Sequence, residues 1–257
     1  IACEIRLQQA LENDLLCPFH YFGITDIDID GEIGDISSFS QLTSDKRVEH
    51  ILERAEYYGY SGDRVKGLIF CSTKKEASEL SKKFNETGRY STIMLCGENS
   101  QEERESAVER LVTTNHPHKL DYIFTVDIFN EGVDIPEINQ VIMLRPTESP
   151  IIFVQQLGRG LRKADGKEFV IVIDFIGNYQ NNYMIPIALS GDRTGNKDNI
   201  RRSLMEGNNL IQGASTIYFD EVSRKRIYES IDKAKTDSTR LLKNAYKNLR
   251  FKLGRIP

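Results

Sequence analysis

The sequence predicts an α/β fold, with a parallel sheet flanked by helices and a mostly helical C-terminal extension. Short β-branched runs alternate with amphipathic stretches between residues 66 and 174, as in parallel sheets whose crossovers are helices. The 257 residues are 39% hydrophobic and 28% charged, a globular composition with room for one or two cores. The longest apolar runs are far shorter than the roughly 20 residues of a membrane helix, and no signal-peptide pattern opens the chain. We therefore expect a cytoplasmic protein without a membrane partner.

Five apolar, β-branched runs predict the strands of the sheet. They lie at residues 67–71, 91–95, 121–125, 140–144 and 169–174. Residues 74–84 have a helix-forming composition, and Ser100 with Glu103 forms a capping box ahead of a second helix. Ser149 followed by Pro150 also predicts the start of a helix, because serine caps helices and proline is favoured at their first position.

The flanks of this core predict further elements. We expect a helix at residues 5–13, a strand at 19–27, a loop at 26–35, a helix at 44–58, a polar linker at 190–199, and helices at 198–205, 223–231 and 238–252. The chain then divides into three parts. Residues 1–65 connect and pack on the core, residues 66–190 form the α/β domain, and residues 191–257 form a basic extension leading into a further, truncated module.

The charge distribution is asymmetric. The net charge is −4, but residues 224–257 carry eleven Lys or Arg against three Asp or Glu, which is +8. This basic end is either a solvated helical surface or a surface that faces phosphates. The four cysteines form no C-x-x-C pair, and the His116 and His118 pair has no third ligand at suitable spacing. We therefore predict no metal site.

The run Gln-Gln-Leu-Gly-Arg-Gly-Leu-Arg at residues 155–162 is the most informative stretch. On a helix that begins near Pro150, Gln155, Arg159 and Arg162 fall at i, i+4 and i+7, and so project from one face. Guanidinium groups bind phosphate oxygens in a bidentate manner, so a polyphosphate ligand is one interpretation. An exposed basic helix turn is the other.

A second polar stretch, at residues 125–136, follows a predicted parallel strand. Ligands of open parallel sheets bind beyond the carboxyl ends of the strands, which is where this stretch begins. Gly132 permits close approach of a backbone, and Asp134 can accept hydrogen bonds from sugar hydroxyls. Taken alone, this stretch is equally consistent with a polar turn.

Together, the two stretches resemble the second RecA-like domain of superfamily 2 helicases. Residues 131–134 (Glu-Gly-Val-Asp) are similar to motif V, and residues 155–162 match the Q-x-x-G-R-x-x-R form of motif VI. Residues 67–73 (Gly-Leu-Ile-Phe-Cys-Ser-Thr) are similar to motif IV. The sequences of motifs V and VI, with Arg-Pro-Thr at 145–147 between them, are most similar to those of the restriction-enzyme-like DNA helicase branch.

The resemblance implies a RecA-like fold of the P-loop NTPase class and a role for each motif. Two such domains close on ATP, and the second supplies arginines to its phosphates. By resemblance, Arg159 and Arg162 would meet the γ-phosphate and Gln155 would sense it. The residues that would face the nucleotide are Gly132, Asp134 and Gly158. Those that would contact the nucleic-acid backbone are Ser72, Thr73, Lys74, Thr125 and Asn130.

The sequence lacks the motifs of the first helicase domain. It contains no G-x-x-x-x-G-K-[ST] and no D-E-x-[DH] after a strand, the residues that cradle the β-phosphate and hold Mg²⁺. We therefore expect the C-terminal motor half of an ATP-dependent helicase, present as a fragment with weak or no activity. ATP and Mg²⁺ would be bound mainly by a first RecA-like domain of the same polypeptide.

DNA is the expected nucleic-acid partner, with RNA second. The alternative is a non-catalytic nucleic-acid-binding or interaction module that keeps the RecA-like fold. A Rossmann-type dinucleotide enzyme also fits an α/β pattern, but no G-x-G-x-x-G follows any predicted strand.

Overall fold

A computed structural model describes residues 7–27, 39–126, 135–146, 149–177, 179–192, 194, 196–206 and 214–234. Within these residues, seven strands form one sheet in the order β3-β4-β2-β5-β6-β1-β7, and every neighbouring pair is parallel. The strands are β1 (Phe19–Thr25), β2 (Gly67–Phe70), β3 (Thr92–Leu95), β4 (Tyr122–Thr125), β5 (Gln140–Met143), β6 (Val170–Ile176) and β7 (Thr216–Phe219). Because all strands are parallel, their carboxyl ends lie along one edge of the sheet, which we call the carboxyl edge.

Helices follow most of the strands and cover both faces of the sheet. They are α1 (Leu7–Glu12), α2 (Phe39–Leu42), α3 (Asp45–Tyr58), α4 (Lys74–Glu86), α5 (Gln101–Val112), α6 (Pro150–Gly160), α7 (Met184–Ser190), α8 (Lys197–Glu206) and α9 (Glu221–Lys233). Ser44, Thr73, Ser100 and Asp220 cap α3, α4, α5 and α9 with side-chain oxygens. These caps satisfy backbone N–H groups that have no partner inside the helix.

The sheet is buried on both sides. Along β6, Val170 and Val172 belong to one hydrophobic core, whereas Ile171 and Ile173 belong to the other. Helices α3 and α4 supply the second core, and α5 to α9 supply the first. Strands with two covered faces need apolar residues at nearly every position, which is why they were recognisable as continuous apolar runs.

Most predicted elements are confirmed. The five predicted core strands occur within two residues of their predicted bounds, and α6 begins at Pro150. The capping box is complete, since Ser100 Oγ accepts from Glu103 N at 3.2 Å and Glu103 Oε2 accepts from Ser100 N at 2.8 Å. The helix predicted at residues 238–252 lies outside the described residues, as does most of the loop predicted at 26–35.

Three elements were not predicted, and one of them is the four-residue helix α2. Strand β7 has only four residues, and it alternates buried Ile217 and Phe219 with Tyr218, which is half exposed. Helix α7 is short and contains Pro186, which is tolerated in a first turn. Strands β1 and β7 both belong to the main sheet, so the sheet runs across positions 65 and 190. The division of the chain at those positions remains a prediction.

Candidate functional site

The loop after β2, which carries the motif IV residues, lies at the carboxyl edge. Strand β2 lies between β4 and β5, with Phe70 opposite Thr125 and Met143. The chain then turns into α4, where Thr73 Oγ1 accepts a hydrogen bond from Glu76 N at 3.2 Å. The side chains of Ser72, Thr73 and Lys74 are exposed. The structure thus places these three predicted residues together on one surface.

Lys74 is paired within the chain. Its Nζ lies 2.6 Å from Glu98 Oε1, and both side chains are at least half exposed. The hydrogen bond to Glu98 raises the pKa of Lys74, and the same bond lowers the pKa of Glu98. A phosphate that binds Lys74 would therefore compete with a neighbouring carboxylate.

Thr125, the last residue of β4, lies beside this loop but is fully buried. Its carbonyl oxygen accepts from Cys71 N at 3.0 Å. Its Oγ1 has no hydrogen-bond partner in the part of the chain that the structure describes. A buried hydroxyl without a hydrogen-bond partner lowers the stability of the folded state and is rare in proteins. Thr125 is therefore an unusual residue at this edge. Residues 127–134, with the predicted site residues Asn130, Gly132 and Asp134, lie outside the described residues.

Helix α6, which carries motif VI, starts at the carboxyl edge. Its first turn is closed by Phe153 N donating to Ser149 O at 3.0 Å, and buried Phe153 and Leu157 hold it against the sheet. The backbone of Gln155 and Arg159 lies in this helix; their side chains are outside the described part.

Arg162 does not lie on that helix. Helix α6 ends at Gly160, so the predicted i, i+4, i+7 face extends only to Arg159. The reason is that Leu161 is fully buried and its carbonyl accepts from Cys17 N at 2.7 Å, which draws the chain out of the helical path. Arg162 follows immediately and is exposed.

The two glycines of α6 have different surroundings. A Cβ atom added at Gly160 would lie 3.1 Å from Val141 Cγ2 and 3.3 Å from Val170 Cγ1, whereas one added at Gly158 would have no atom within 4 Å. Close packing on the sheet therefore explains Gly160. Among the described residues, no atom requires glycine at position 158.

Lys167 contacts the end of the motif VI helix, and it was not singled out from the sequence. Its Nζ donates to Gly160 O at 3.0 Å, to Ile138 O at 3.1 Å and to Pro136 O. A cation at the end of a helix is stabilised by the helix dipole and by unpaired terminal carbonyls. The signal in the sequence was a lysine shortly after a helix end, behind Gly166, which has a positive φ of 74°.

The contacts of Lys167 bring together the ends of the two predicted nucleotide-facing stretches. Pro136 closes the stretch that contains motif V, and Gly160 ends the helix that carries motif VI. Pro136 precedes β5 and Gly160 ends α6, so this contact lies at the amino ends of the strands. The predicted residues Asn130, Gly132 and Asp134, and the side chains of Gln155 and Arg159, lie outside the described part.

The described residues contain no cluster of three or more His, Cys, Asp or Glu side chains arranged to hold a metal ion. Cys17, Cys71 and Cys96 are buried and form no disulfide. None of the helices within the described ranges is both long enough and apolar enough to cross a bilayer.

Comparison with known families agrees with the motifs. Residues 46–164 match the family model of the helicase conserved C-terminal domain. The putative ATP-dependent helicase IRC3 of Saccharomyces cerevisiae is 25% identical over 179 residues, which are 66% of this chain and 25% of that protein. The chain therefore spans about a quarter of this relative.

Solved structures show the same fold. The ATP-dependent type ISP restriction-modification enzyme LlaBIII, solved bound to DNA, aligns with 89% of this chain and 18% of its own at 19% identity and a TM-score of 0.57. The yeast DEAD-box splicing factor Prp28 aligns with 82% of this chain and 37% of its own at 15% identity and a TM-score of 0.54. The predicted RecA-like architecture, a parallel sheet flanked by helices, is confirmed.

Proposed function

Residues 46–164 of this chain belong to the C-terminal domain family of superfamily 2 helicases. We therefore propose that the chain is the second half of an ATP-driven nucleic-acid motor. The observation that carries the proposal is that the motif IV loop follows β2 and the motif VI helix begins after the neighbouring strand β5, so both start at the carboxyl edge. Ligands of parallel sheets bind at this edge. Lys167 ties the other end of the motif VI helix to the residues that follow motif V.

The residues around α6 fit the polyphosphate of ATP. Arg162 is exposed beside the end of the helix, and no side chain of the described structure fills the space at Gly158. In this proposal Arg159 and Arg162 bind the γ-phosphate and Gln155 senses it, while Gly132, Asp134 and Gly158 face the nucleotide. Arginine suits this role because its planar fork binds phosphate oxygens in pairs and stays charged.

A first RecA-like domain of the same polypeptide is the proposed partner. It would hold most of the ATP and the Mg²⁺, because this sequence has no phosphate-binding loop. When bound, ATP supplies the phosphoryl group whose transfer to water drives the motor. This chain's own contribution is positioning and charge, which is the main part of catalysis in phosphoryl transfer.

Nucleic acid is the proposed track, contacted by Ser72, Thr73, Lys74 and Asn130; Thr125, proposed with them from the sequence, is fully buried and would act from beneath the loop. We favour DNA over RNA because the motif wording is closest to the restriction-enzyme-like branch and because the LlaBIII enzyme was solved bound to DNA. The basic end at residues 224–257 would add phosphate contacts. The unpaired cysteines among the described residues are consistent with a cytoplasmic protein.

The test is nucleic-acid-stimulated ATP hydrolysis by a polypeptide that carries both RecA-like domains. Arg159→Ala and Arg162→Ala should each lower kcat by about 10³-fold or more without loss of stability, while Lys163→Ala, next to Arg162 and exposed, serves as the matched control. Double-stranded DNA, single-stranded DNA and RNA are compared as activators, and the best one identifies the track. Unchanged turnover in both arginine variants would favour a non-catalytic binding module.

A further inference from the structure

Beneath the motif IV loop lies a cluster of three buried charges, Arg47, Asp26 and Glu76, which we call the buried triad. Arg47 Nη2 lies 2.8 Å from Asp26 Oδ2 and Nη1 lies 3.0 Å from Glu76 Oε1. None of the three side chains is more than 1% exposed. Burial lowers the pKa of Arg47, but the two carboxylates more than offset this effect, so the pKa is raised and the guanidinium stays charged.

The triad joins three separate elements. Asp26 follows β1, Arg47 lies in the first turn of α3, and Glu76 lies in the first turn of α4. Arg47 also donates from Nε to both carboxylate oxygens of Asp26, at 3.2 and 3.1 Å, and from Nη1 to Leu42 O at 2.8 Å. A guanidinium with this many partners holds one orientation, and it fixes the carboxylate of Glu76.

The second carboxylate oxygen of Glu76 reaches the motif IV loop. Glu76 Oε2 accepts a hydrogen bond from Ser72 N at 3.0 Å, and Glu76 N donates to Thr73 Oγ1 at 3.2 Å. Glu76 therefore binds the loop backbone on one side and Arg47 on the other. Its position near the amino end of α4 also suits a negative charge.

These bonds decide which groups of the loop face outward. The Ser72 N–H is directed inward to Glu76, while the Ser72 and Thr73 side chains stay exposed. Thr73 Oγ1 acts as an acceptor toward α4, so its own O–H is available to donate outward. The loop thus presents two exposed hydroxyl groups on a backbone that Glu76 holds in place, and hydroxyl groups can donate to phosphate oxygens.

We propose that Glu76, held by Arg47 and Asp26, is a positioning residue that sets the motif IV loop for contact with a nucleic-acid backbone. The inference rests on the proposed function of this loop. It goes beyond that function in assigning a role to three buried residues that contact no ligand. Weakening the link between Glu76 and Ser72 should weaken nucleic-acid binding beyond any effect on overall stability.

The test compares Glu76→Gln with Asp26→Asn. Both variants remove one carboxylate of the buried triad and should lower the Tm, but only Glu76→Gln alters the group that holds Ser72 N. Binding of labelled single-stranded and double-stranded DNA is measured by fluorescence anisotropy well below both Tm values. We expect Kd to rise about tenfold for Glu76→Gln and less than about twofold for Asp26→Asn.

Hydrogen exchange gives an independent readout of the same link. The Ser72 amide should exchange faster in Glu76→Gln than in Asp26→Asn. If Glu76→Gln fails to fold, Glu76→Asp replaces it, because the shorter side chain keeps the charge but cannot reach both Arg47 and Ser72. If Asp26→Asn fails to fold, Ile51→Ala, a core truncation in α3, is the destabilised control.

The outcomes separate this inference from the proposed function. Equal weakening of binding in the two variants, or wild-type binding by Glu76→Gln, would overturn the positioning role while the wild type still binds nucleic acid. A wild-type chain that binds no nucleic acid would instead overturn the proposed function, and the positioning role with it. A rise in Kd confined to Glu76→Gln, with faster exchange at Ser72, supports the inference.

Discussion

Tyr21 donates a 2.6 Å hydrogen bond to the carboxylate of Asp174, and both side chains are buried in the core between neighbouring strands. Burial raises the pKa of Asp174 to about 7, although the hydrogen bond from Tyr21 lowers it. The phenol is affected in the same direction, since burial raises the pKa of Tyr21 well above its usual value. An aspartate in the middle of an apolar sheet therefore titrates near neutral pH.

This carboxyl makes stability depend on pH. Its folded-state pKa of about 7 lies above its ordinary value of 3.8, so the folded protein binds the proton more tightly than the unfolded chain. Stability from this group is fully present near pH 4 and falls as the pH rises to about 7, by roughly 1.4 kcal/mol for each pH unit. Above pH 7 the loss is complete and constant.

Asp174→Asn should remove this dependence. We expect the free energy of unfolding of the variant, relative to wild type, to rise by a few kcal/mol between about pH 4 and pH 8. Urea denaturation at several pH values measures the difference, and Asp165→Asn, at an exposed position, is the control. A wild-type curve parallel to that of Asp174→Asn would show that Asp174 is ionised throughout this range.

The two glycines of α6 make a matched pair. Gly158→Ala should raise the free energy of unfolding by up to about 1 kcal/mol, because alanine favours helices and a Cβ there meets no atom of the described residues. Gly160→Ala should lower it by about 1 kcal/mol, because Val141 and Val170 lie too close. Thermal or urea denaturation of both variants measures these changes.

The two variants should rank in one order by stability and in the opposite order by kcat/KM for ATP. If a nucleotide approaches the helix at Gly158, Gly158→Ala lowers kcat/KM for ATP in the two-domain protein despite its greater stability. Gly160→Ala should keep its kcat/KM at temperatures where it is folded. Full activity of Gly158→Ala would show that the open surface at this position is not used by the nucleotide.

Lys74 should bind nucleic acid more tightly when Glu98 is removed. The two charges form an exposed pair at 2.6 Å, so Glu98 competes with any phosphate for the ammonium group. We expect Glu98→Gln to lower Kd for DNA about two- to fivefold at low salt, and the gain to shrink as salt rises. Glu102→Gln, which removes an exposed carboxylate without a pairing to Lys74, controls for net charge. Equal gains in both variants would indicate a general charge effect.

The sequence predicted the core of the fold because its strands are buried on both faces and read as apolar runs of β-branched residues. It missed β7, whose four residues are too few to show a period and which is recognisable only by its pairing with β1. For the site, the motif IV residues were identified from the sequence, and the structure places Ser72, Thr73 and Lys74 on one exposed surface; their contact with nucleic acid stays a prediction. The hydrogen bonds and ion pairs that hold these residues were not predicted. Arg47 is 21 residues from Asp26 and 29 residues from Glu76 in the sequence, and only folding brings the three together.

Lys167 was also missed in the sequence, because its three carbonyl contacts form only in the folded chain. These contacts are the basis of the last prediction. Lys167→Met should lower the free energy of unfolding by about 2 kcal/mol, because charge-assisted hydrogen bonds at the end of α6 are lost. Lys163→Met is the matched control, since Lys163 lies in the same loop and, within the described ranges, forms an exposed pair with Asp14, which contributes roughly 0–1 kcal/mol. Denaturant titration of the two variants measures the difference.

In the two-domain protein, Lys167→Met should also lower kcat for ATP hydrolysis more than it raises KM, measured well below its Tm. The reason is that Lys167 holds the end of the motif VI helix against the residues that follow motif V, so its loss would misplace groups needed in the transition state more than those needed for binding. A stability loss accompanied by wild-type kcat would restrict Lys167 to a structural cap.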